Sequence, residues 1–367
     1  MRIGLPKEIK NHEYRVGMIP NHVRALVQRG HQVLVERGAG LGSGFMDSLY
    51  EEAGAQMIDT AAEVWTSSEM IVKVKEPVAS EYDLIQEGQL IYTYLHLAAD
   101  PTLTEVLLKK KVSGVAYETI ETADGRLPLL VPMSQVAGRM ATQVGAQYLQ
   151  KANGGKGVLL GGVPGTRRGR VVILGGGVVG THAAQIAVGM GADVRILDIN
   201  AKRLEELDFM FGGRVQTLYS DPYTIAEQAQ QADLLIGAVL IAGAKAPTLV
   251  NRQLISQMEA GTVVVDVAVD QGGCIETCHA TTHDAPTFVV DDVVHYCVAN
   301  MPGAVSRTST LALNSTTRPH LLALVDHGVE EACRRDPALM LGLNTYQGRC
   351  THQAVATSLG YEYAPLV

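Results

Sequence analysis

Four residues of this chain directly follow apolar runs and have side chains suited to binding and turning over a small charged molecule. Arg15 lies in HEYRVGMIP, in the loop after the first apolar stretch, and Lys75 closes IVKVKEP, where Val72 and Val74 alternate with Lys73 and Lys75 before Pro77 stops the strand. His96 closes LIYTYLHL on the alternation face of Tyr92 and Tyr94, and Asp270 follows VVVDVAVD. In doubly wound α/β sheets ligands gather beyond the carboxyl ends of the strands, so all four are candidate ligand-facing positions. A guanidinium offers a carboxylate a bidentate fork, and an ammonium adds a point charge. An imidazole titrates near neutrality and can shuttle protons, while a carboxylate can stabilise a cation and orient water. The two cations are expected to keep the neutral form of His96 accessible. Singly, each residue also fits an ordinary role: a solvated strand-end lysine, a hydrogen-bonded core histidine, a surface-paired arginine, or an aspartate capping the turn before Gly272 and Gly273. Their recurrence on either side of an expected cleft is what points to a site. Asp266, inside the same apolar run as Asp270, is expected to face away from it.

A second constellation occupies VVILGGGVVGTHAAQIAVGMGADVRILDIN, residues 171–200. An apolar β-branched run enters a turn with Gly175, Gly177 and Gly180 in G-x-G-x-x-G spacing, a helical pattern follows to Gly189, and a strand from Asp193 ends at Asp198. Strand, turn, helix, strand and acid in that order make the dinucleotide fingerprint. Gly175 permits the tight turn, Gly177 lets backbone N–H groups approach a pyrophosphate, Gly180 lets the helix pack on the sheet, and the helix N-terminus favours phosphate charge. Asp198, 18 residues after Gly180, is placed to accept hydrogen bonds from an adenosine ribose and to repel a 2′-phosphate, which favours NAD over NADP. Lys202 and Arg203 are either solvated charges at a helix start or contacts to the adenosine side.

These residues require an α/β scaffold. The pattern predicts strands at Ile3–Leu5, His31–Val35, Met70–Val74, Leu90–Leu95 and near Gly114–Tyr117, with helices from Pro20 to Gly30 and around Thr102–Lys111. PMSQVAGRMATQVGAQYLQKA predicts a long helix over 132–152, and GGKGVLLGGVPGT a glycine-rich connection carrying a short strand. Further strands are expected within Ala232–Val239 and Gly261–Val267, and a helix from Thr310 to His327. The expected fold is a Rossmann-type dinucleotide domain, residues 131–307, inserted into a Rossmann-like α/β substrate domain made of 1–130 and 308–367.

With 367 residues the chain is long enough for two domains with cores. Its net charge of −8, and a longest basic run of only Lys109–Lys111, disfavour a nucleic-acid partner. The start carries no apolar signal core and no apolar stretch reaches membrane-spanning length, so a cytoplasmic location is expected. Five cysteines, an odd number, argue against a disulfide framework. Cys274, Cys278, His279 and His283 bring soft ligands together, but the pairs abut without the loop that folds around an ion, so no metal is expected.

The blocks MRIGLPKEIKNHEYRVGMIP, GHQVLVERGAGLGSGF, VKVKEP, LHLAAD, PMSQVAGRMATQVGA, GGVPGTRRGRVVILGGGVVGTHAA and VANMPGAVSRTST resemble, nearly end to end and in order, those of the alanine dehydrogenase family. The resemblance implies NAD-dependent, reversible oxidative deamination of L-alanine to pyruvate and ammonium by a homo-hexamer. It implies substrate-binding roles for Arg15 and Lys75, and an acid/base pair in His96 and Asp270. Cofactor contacts are implied at Ser134, Gly175, Gly177, Val178, Val179, Gly180, Asp198, Arg203, Ser220, Val239, Leu240, Val267, Val298, Asn300 and Met301. Arg203 stands where the family often has lysine, and His279 where a larger basic residue is common. Tyr94 and Met133 are candidates to line the side-chain pocket. The soluble NAD(H)-binding subunit of a proton-translocating transhydrogenase is the nearest alternative; the set Arg15, Lys75, His96 and Asp270, with PMSQVAGRMA, favours the deaminase.

Overall fold

The computed structural model of the protein describes residues 1–239, 246–269 and 272–366. The chain divides into two compact units, Met1–Met133 with Val305–Val367, and Ser134–Ala304. The first contributes β1 (Arg2–Leu5), β2 (Gln32–Glu36), β3 (Gln56–Ile58), β4 (Met70–Val72), β5 (Leu90–Thr93) and β6 (Ser113–Ala116). The second contributes β7 (Arg170–Leu174), β8 (Asp193–Asp198), β9 (Val215–Tyr219), β10 (Leu234–Gly237), β11 (Val263–Asp266), β12 (Thr287–Val290) and β13 (Val293–Tyr296). The chain then returns to the first unit with β14 (Leu343–Tyr346) and β15 (Arg349–Cys350).

Each unit is an α/β fold on one sheet, and the two sheets share a plan. In the first, β3-β2-β1-β4-β5-β6 lie side by side and parallel, extended by the antiparallel β14 and β15. In the second, β9-β8-β7-β10-β11-β13 repeat that order, with antiparallel β12 at the edge. Both therefore have the 3-2-1-4-5-6 strand order of doubly wound dinucleotide-binding sheets, whose direction of winding reverses between the first and fourth strands.

Central strands of such sheets must be apolar on both faces, because helices cover both. Alternate residues of the first sheet accordingly enter different cores: Ile3, Leu5, Met70, Val72, Tyr92 and Val115 pack in one, and Leu34, Ile71 and Ile91 in the other. The helix Ser306–His327 supplies Leu313, Leu321 and Leu324 to the first of these cores. It also pins the loop after β1: Asn314 accepts from the Ile19 amide at 3.0 Å and donates to the Val16 carbonyl at 3.1 Å. That loop carries Arg15.

Three sequence-based expectations are corrected. The strand expected from Met70 to Val74 ends at Val72, because Lys73 turns into a buried cluster of carboxylates. The strand expected to reach Leu95 ends at Thr93, and His96 adopts a left-handed backbone at φ 51°, so His96 is not on the alternation face of Tyr92 and Tyr94. The segment 154–166 forms no strand; its backbone is turned by glycines with positive φ at Gly154, Gly157, Gly162 and Gly165. Side chains anchor this connection instead. Lys156 and Arg167 both reach the fully buried Asp233, at 2.9 Å and 2.6 Å, while the Arg170 amide donates to the same carboxylate at 2.7 Å.

These partners outweigh burial and hold the Asp233 carboxyl at about 2. Asp233→Ala should therefore destabilise the protein by about 3 kcal/mol, as expected for breaking a buried ion pair. Denaturant melts check this. In the wild type the contribution should be present above the unfolded-state value near 3.8 and lost as the pH falls toward 2.

Candidate active site

The winding of the first sheet reverses between β1 and β4, and the loops beyond the carboxyl ends of β1, β4, β5 and β6 carry a cluster of charged side chains, some buried and some partly open to solvent. From β1 come Glu8, Glu13 and Arg15, from β4 Lys73, Lys75 and Glu76, from β5 Tyr94 and His96, and from β6 Glu118. Burying a cation is tolerable only if it is paired and hydrogen-bonded. Arg15, 3% exposed, is held side-on by Glu13, with Nε 2.6 Å from Oε1 and Nη2 2.5 Å from Oε2. Burial alone would raise the Glu13 carboxyl, but Arg15 outweighs it and holds it low. The opposite side of the guanidinium meets Met133, with Nη1 3.1 Å from Sδ.

Lys73 lies between Glu8 and Glu81, at 3.2 Å and 3.0 Å, and is 1% exposed. Glu8 also accepts from the amides of Val74 at 2.6 Å and Lys75 at 3.3 Å, so the cluster fixes the backbone that presents Lys75. Lys75 has no carboxylate within ion-pair distance among the described residues. Burial and the neighbouring Arg15 lower its pKa, against the raising influence of Glu76 and Glu13.

His96 is held at three points. Its amide donates to Glu118 Oε1 at 2.5 Å, its ring stacks on Tyr94 at 5.9 Å between centroids, and its Nδ1 lies 3.4 Å from Glu76 Oε2. Burial would lower its pKa, but the contact with Glu76 and the charges of Glu118 and Glu76 outweigh burial and Lys75, so the pKa is raised. This reverses the expectation that nearby cations favour the neutral imidazole. Tyr94 is buried, with its hydroxyl donating to the Leu129 carbonyl at 2.7 Å.

In the second unit the glycine turn joins β7 to the helix Val178–Gly189. Gly175 has φ 103°, a conformation that strains any side chain, and a Cβ on Gly180 would lie 1.9 Å from the Gly175 carbonyl oxygen. A Cβ on Gly177 would meet nothing within 4 Å, so the helix N-terminus opens onto space. Asp198 accepts from the amides of Gly176 at 2.7 Å and Asn200 at 2.8 Å, and a carboxylate keeps lone pairs beyond those two bonds. Arg203 folds onto the turn, donating to the Gly176 carbonyl and Thr181 Oγ1, both at 2.8 Å, and pairing with Glu206 at 2.8 Å. Lys202 is exposed. These residues fit a dinucleotide: open N–H groups at a helix end for phosphate, and an acceptor at the end of the second strand for a ribose.

The other expected cofactor contacts are spread over the same unit. Ser220 follows β9, its amide donating to the Asp198 carbonyl at 3.0 Å. Val239 follows β10, and the Val267 amide, after β11, donates to the Gly237 carbonyl at 3.0 Å. Val178 and Val179 open the helix, and Ser134 is half-buried in the helix Val131–Tyr148. Val298 and Met301 are buried, and the Asn300 carbonyl lies 2.9 Å from His283 Nε2. Asp270 and Leu240 lie outside the described residues. Asp266 is fully buried and accepts from the amides of Ala268, Cys274 and Ile275. His279 stacks on Phe288 at 3.9 Å, and no group of three or more potential ligands arranged for a metal occurs among the described residues.

Sequence reasoning passed over Glu13, Glu76 and Glu118. The first two stand two and one residues from the cations it singled out, and Glu118 follows a buried strand just as His96 does. A buried cation needs a carboxylate, and that requirement was the available signal.

Fold and site together define a protein of the dinucleotide-binding α/β class, with a second doubly wound unit holding a cation and imidazole cluster. Family models described as "Alanine dehydrogenase/PNT", N-terminal and C-terminal domain, match residues 4–137 and 141–353. The chain is 57% identical over 364 residues to the alanine dehydrogenase of Staphylococcus haemolyticus, covering 99% of this chain and 97% of that one. It is 56% identical over 366 residues to that of Methanococcus maripaludis, covering 100% and 98%. A solved L-alanine dehydrogenase superposes with a TM-score of 0.96 at 54% identity, covering 98% of this chain and 99% of that one. The chain belongs to the alanine dehydrogenase/PNT family. A transhydrogenase from Sinorhizobium meliloti, with a TM-score of 0.84 over 95% of this chain and 100% of that one, shares the fold at 24% identity.

The two glycine environments predict different outcomes. Gly180→Ala should cost about 1–3 kcal/mol, as overpacking does. Gly177→Ala should cost less than about 1 kcal/mol, the difference between glycine and alanine at an N-cap. Denaturant melts of both variants check this, and equal losses would contradict the packing role of Gly180.

Proposed function

We propose that this chain catalyses reversible oxidative deamination of L-alanine to pyruvate and ammonium, with NAD as cofactor. The observation that carries this reading is the cluster of Arg15, Lys75 and His96 at the strand ends of a chain of this family. Arg15, oriented by Glu13, and Lys75 bind the substrate carboxylate. Burial and Arg15 both disfavour the Lys75 ammonium, and an arriving carboxylate offsets both. Met133, against Arg15, and Tyr94, under His96, border the substrate methyl group. A pocket of that kind discriminates by only ~1–3 kcal/mol per methylene, so glycine and L-serine are expected as slower substrates.

Bound NAD supplies the acceptor for the Cα hydride. Asp198 would receive the ribose hydroxyls, the open turn at Gly177 would receive the pyrophosphate, and Arg203, folded onto the turn, would not be presented to a 2′-phosphate. Fixing the substrate carboxylate aims its Cα hydrogen, an orientation gain of up to ~7–11 kcal/mol in favourable cases. His96 takes a proton from the water that attacks the iminium and returns one as the carbinolamine collapses; in reverse it polarises the ketone. By the family resemblance, Asp270 stabilises the iminium and orients that water. Assembly as a hexamer and a cytoplasmic location belong to the same proposal; no helix among the described residues is long and apolar enough to cross a membrane.

An initial-rate screen of small L-amino acids with NAD and NADP tests this reading. L-alanine with NAD should give the highest kcat/KM without any added partner, and no turnover with any amino acid would refute it. His96→Ala should lose about 10²–10⁴-fold in kcat, the range for a positioned acid–base group, while still binding NADH. Asp198→Arg should weaken NAD use and admit NADP; unchanged preference would remove Asp198 from the ribose.

A further inference from the structure

We propose that Glu76 is a positioning residue for His96, holding the imidazole through Nδ1 so that Nε2 is the nitrogen that exchanges protons with substrate. The proposal rests on the assignment of His96 as the proton-transfer group. Glu76 is the residue after Lys75, so one short loop beyond β4 delivers both a substrate-binding cation and the partner of the imidazole. Its two oxygens have different occupants. Oε1 is clasped by Lys10, whereas Oε2 is buried and makes no hydrogen bond of good geometry, and His96 Nδ1 lies 3.4 Å from it. The Tyr94 ring stacks on the imidazole, and the Glu118 carboxylate fixes the backbone amide of the same residue. A histidine nitrogen held by a carboxylate carries the proton, which leaves the other nitrogen to act as acceptor or donor in the reaction.

The charges facing His96 are Glu76 and Glu118, with Lys75 opposing them and Lys10 behind Glu76. Burial would raise the Glu76 carboxyl, but His96 and Lys10 outweigh it and hold it at about 2, so it stays ionised around neutral pH. Deamination needs the neutral imidazole, so kcat should fall as the pH drops through the raised pKa of His96. Removing the Glu76 charge should move that limb to lower pH; removing the Lys10 charge should move it to higher pH.

The pH profiles of kcat for the wild type, Glu76→Gln and Lys10→Met test this, beside a double-mutant cycle of Glu76→Gln with His96→Gln. Glu76→Gln is expected to lower kcat by at least about tenfold, a part of the ~10²–10⁴-fold that a positioned acid–base group contributes, with KM for L-alanine nearly unchanged because Arg15 and Lys75 remain. Its limb should shift to lower pH and that of Lys10→Met to higher pH. In the His96→Gln background Glu76→Gln should cost almost nothing further. Unmoved limbs, or a full additional loss in that background, would overturn the proposal. Titration of the ¹⁵N-labelled imidazole, with the His96 signal assigned by its loss in His96→Gln, decides the pairing apart from turnover. If His96→Gln retains wild-type turnover, the assignment of His96 fails, and a lower imidazole pKa in Glu76→Gln would still establish the pair, whereas an unchanged one would remove it.

Discussion

Cations buried at the ends of parallel strands must be matched by carboxylates, and much of the first unit follows from that requirement. Lys73 sits between Glu8 and Glu81 and Arg15 in the fork of Glu13, all of them buried, while the more exposed Lys10 and His96 meet the two oxygens of Glu76. Removing one partner of such a pair typically costs 3–5 kcal/mol, because the other is left charged in a medium that solvates it poorly. These carboxylates therefore do more than neutralise. Glu8 fixes the amides of Val74 and Lys75, Glu13 sets the plane of the guanidinium, and Glu118 holds His96 at its left-handed turn. Lys75 is the exception among them, fixed by its backbone while its ammonium is disfavoured by burial and by Arg15. Electrostatically, a site arranged in that way suits a ligand that brings a carboxylate.

One sheet plan serves two purposes. Both units wind in the order 3-2-1-4-5-6, and each places its polar loops beyond the carboxyl ends of the strands. The loops differ. After β7 a glycine turn exposes the amides of a helix N-terminus, which suits phosphate; after β1 a longer loop, pinned by Thr310 and Asn314 of the helix Ser306–His327, carries ionised side chains. The two switch points thus differ in whether backbone amides or ionised side chains are presented beyond the strands.

The glycine turn was legible in the sequence because local backbone geometry demands each residue: a positive φ at Gly175 and no room for a Cβ at Gly180. The helix Val178–Gly189 and the strand Asp193–Asp198 follow the expected pattern closely, since periodicity and turn residues agree there. Strand-end positions drew attention to Arg15, Lys75 and His96, yet β4 and β5 proved shorter than their alternation suggested. Alternation records which side chains are apolar; it does not record that Lys73 leaves the ladder to meet two glutamates distant in sequence. The upward direction of the His96 pKa escapes the sequence for the same reason, since the contact with Glu76 and the charge of Glu118 are made only by the fold. Arg203 had two readings from sequence, and its bonds to Gly176 and Thr181 depend on a helix start folding back over the turn. The apolar GVLL of the connection after the long helix has the composition of a strand, but its flanking glycines and the ties of Lys156 and Arg167 to Asp233 make it an anchored loop.

Direct transfer of hydrogen from substrate to cofactor is the step that the proposed roles of these residues serve. It is tested most directly by supplying L-alanine deuterated at Cα, with NAD and the purified protein alone, and measuring deuterium at C4 of the nicotinamide in the NADH formed. One deuterium per NADH, with pyruvate formed in equal amount, is the predicted result; NADH without deuterium, or pyruvate without NADH, would contradict it.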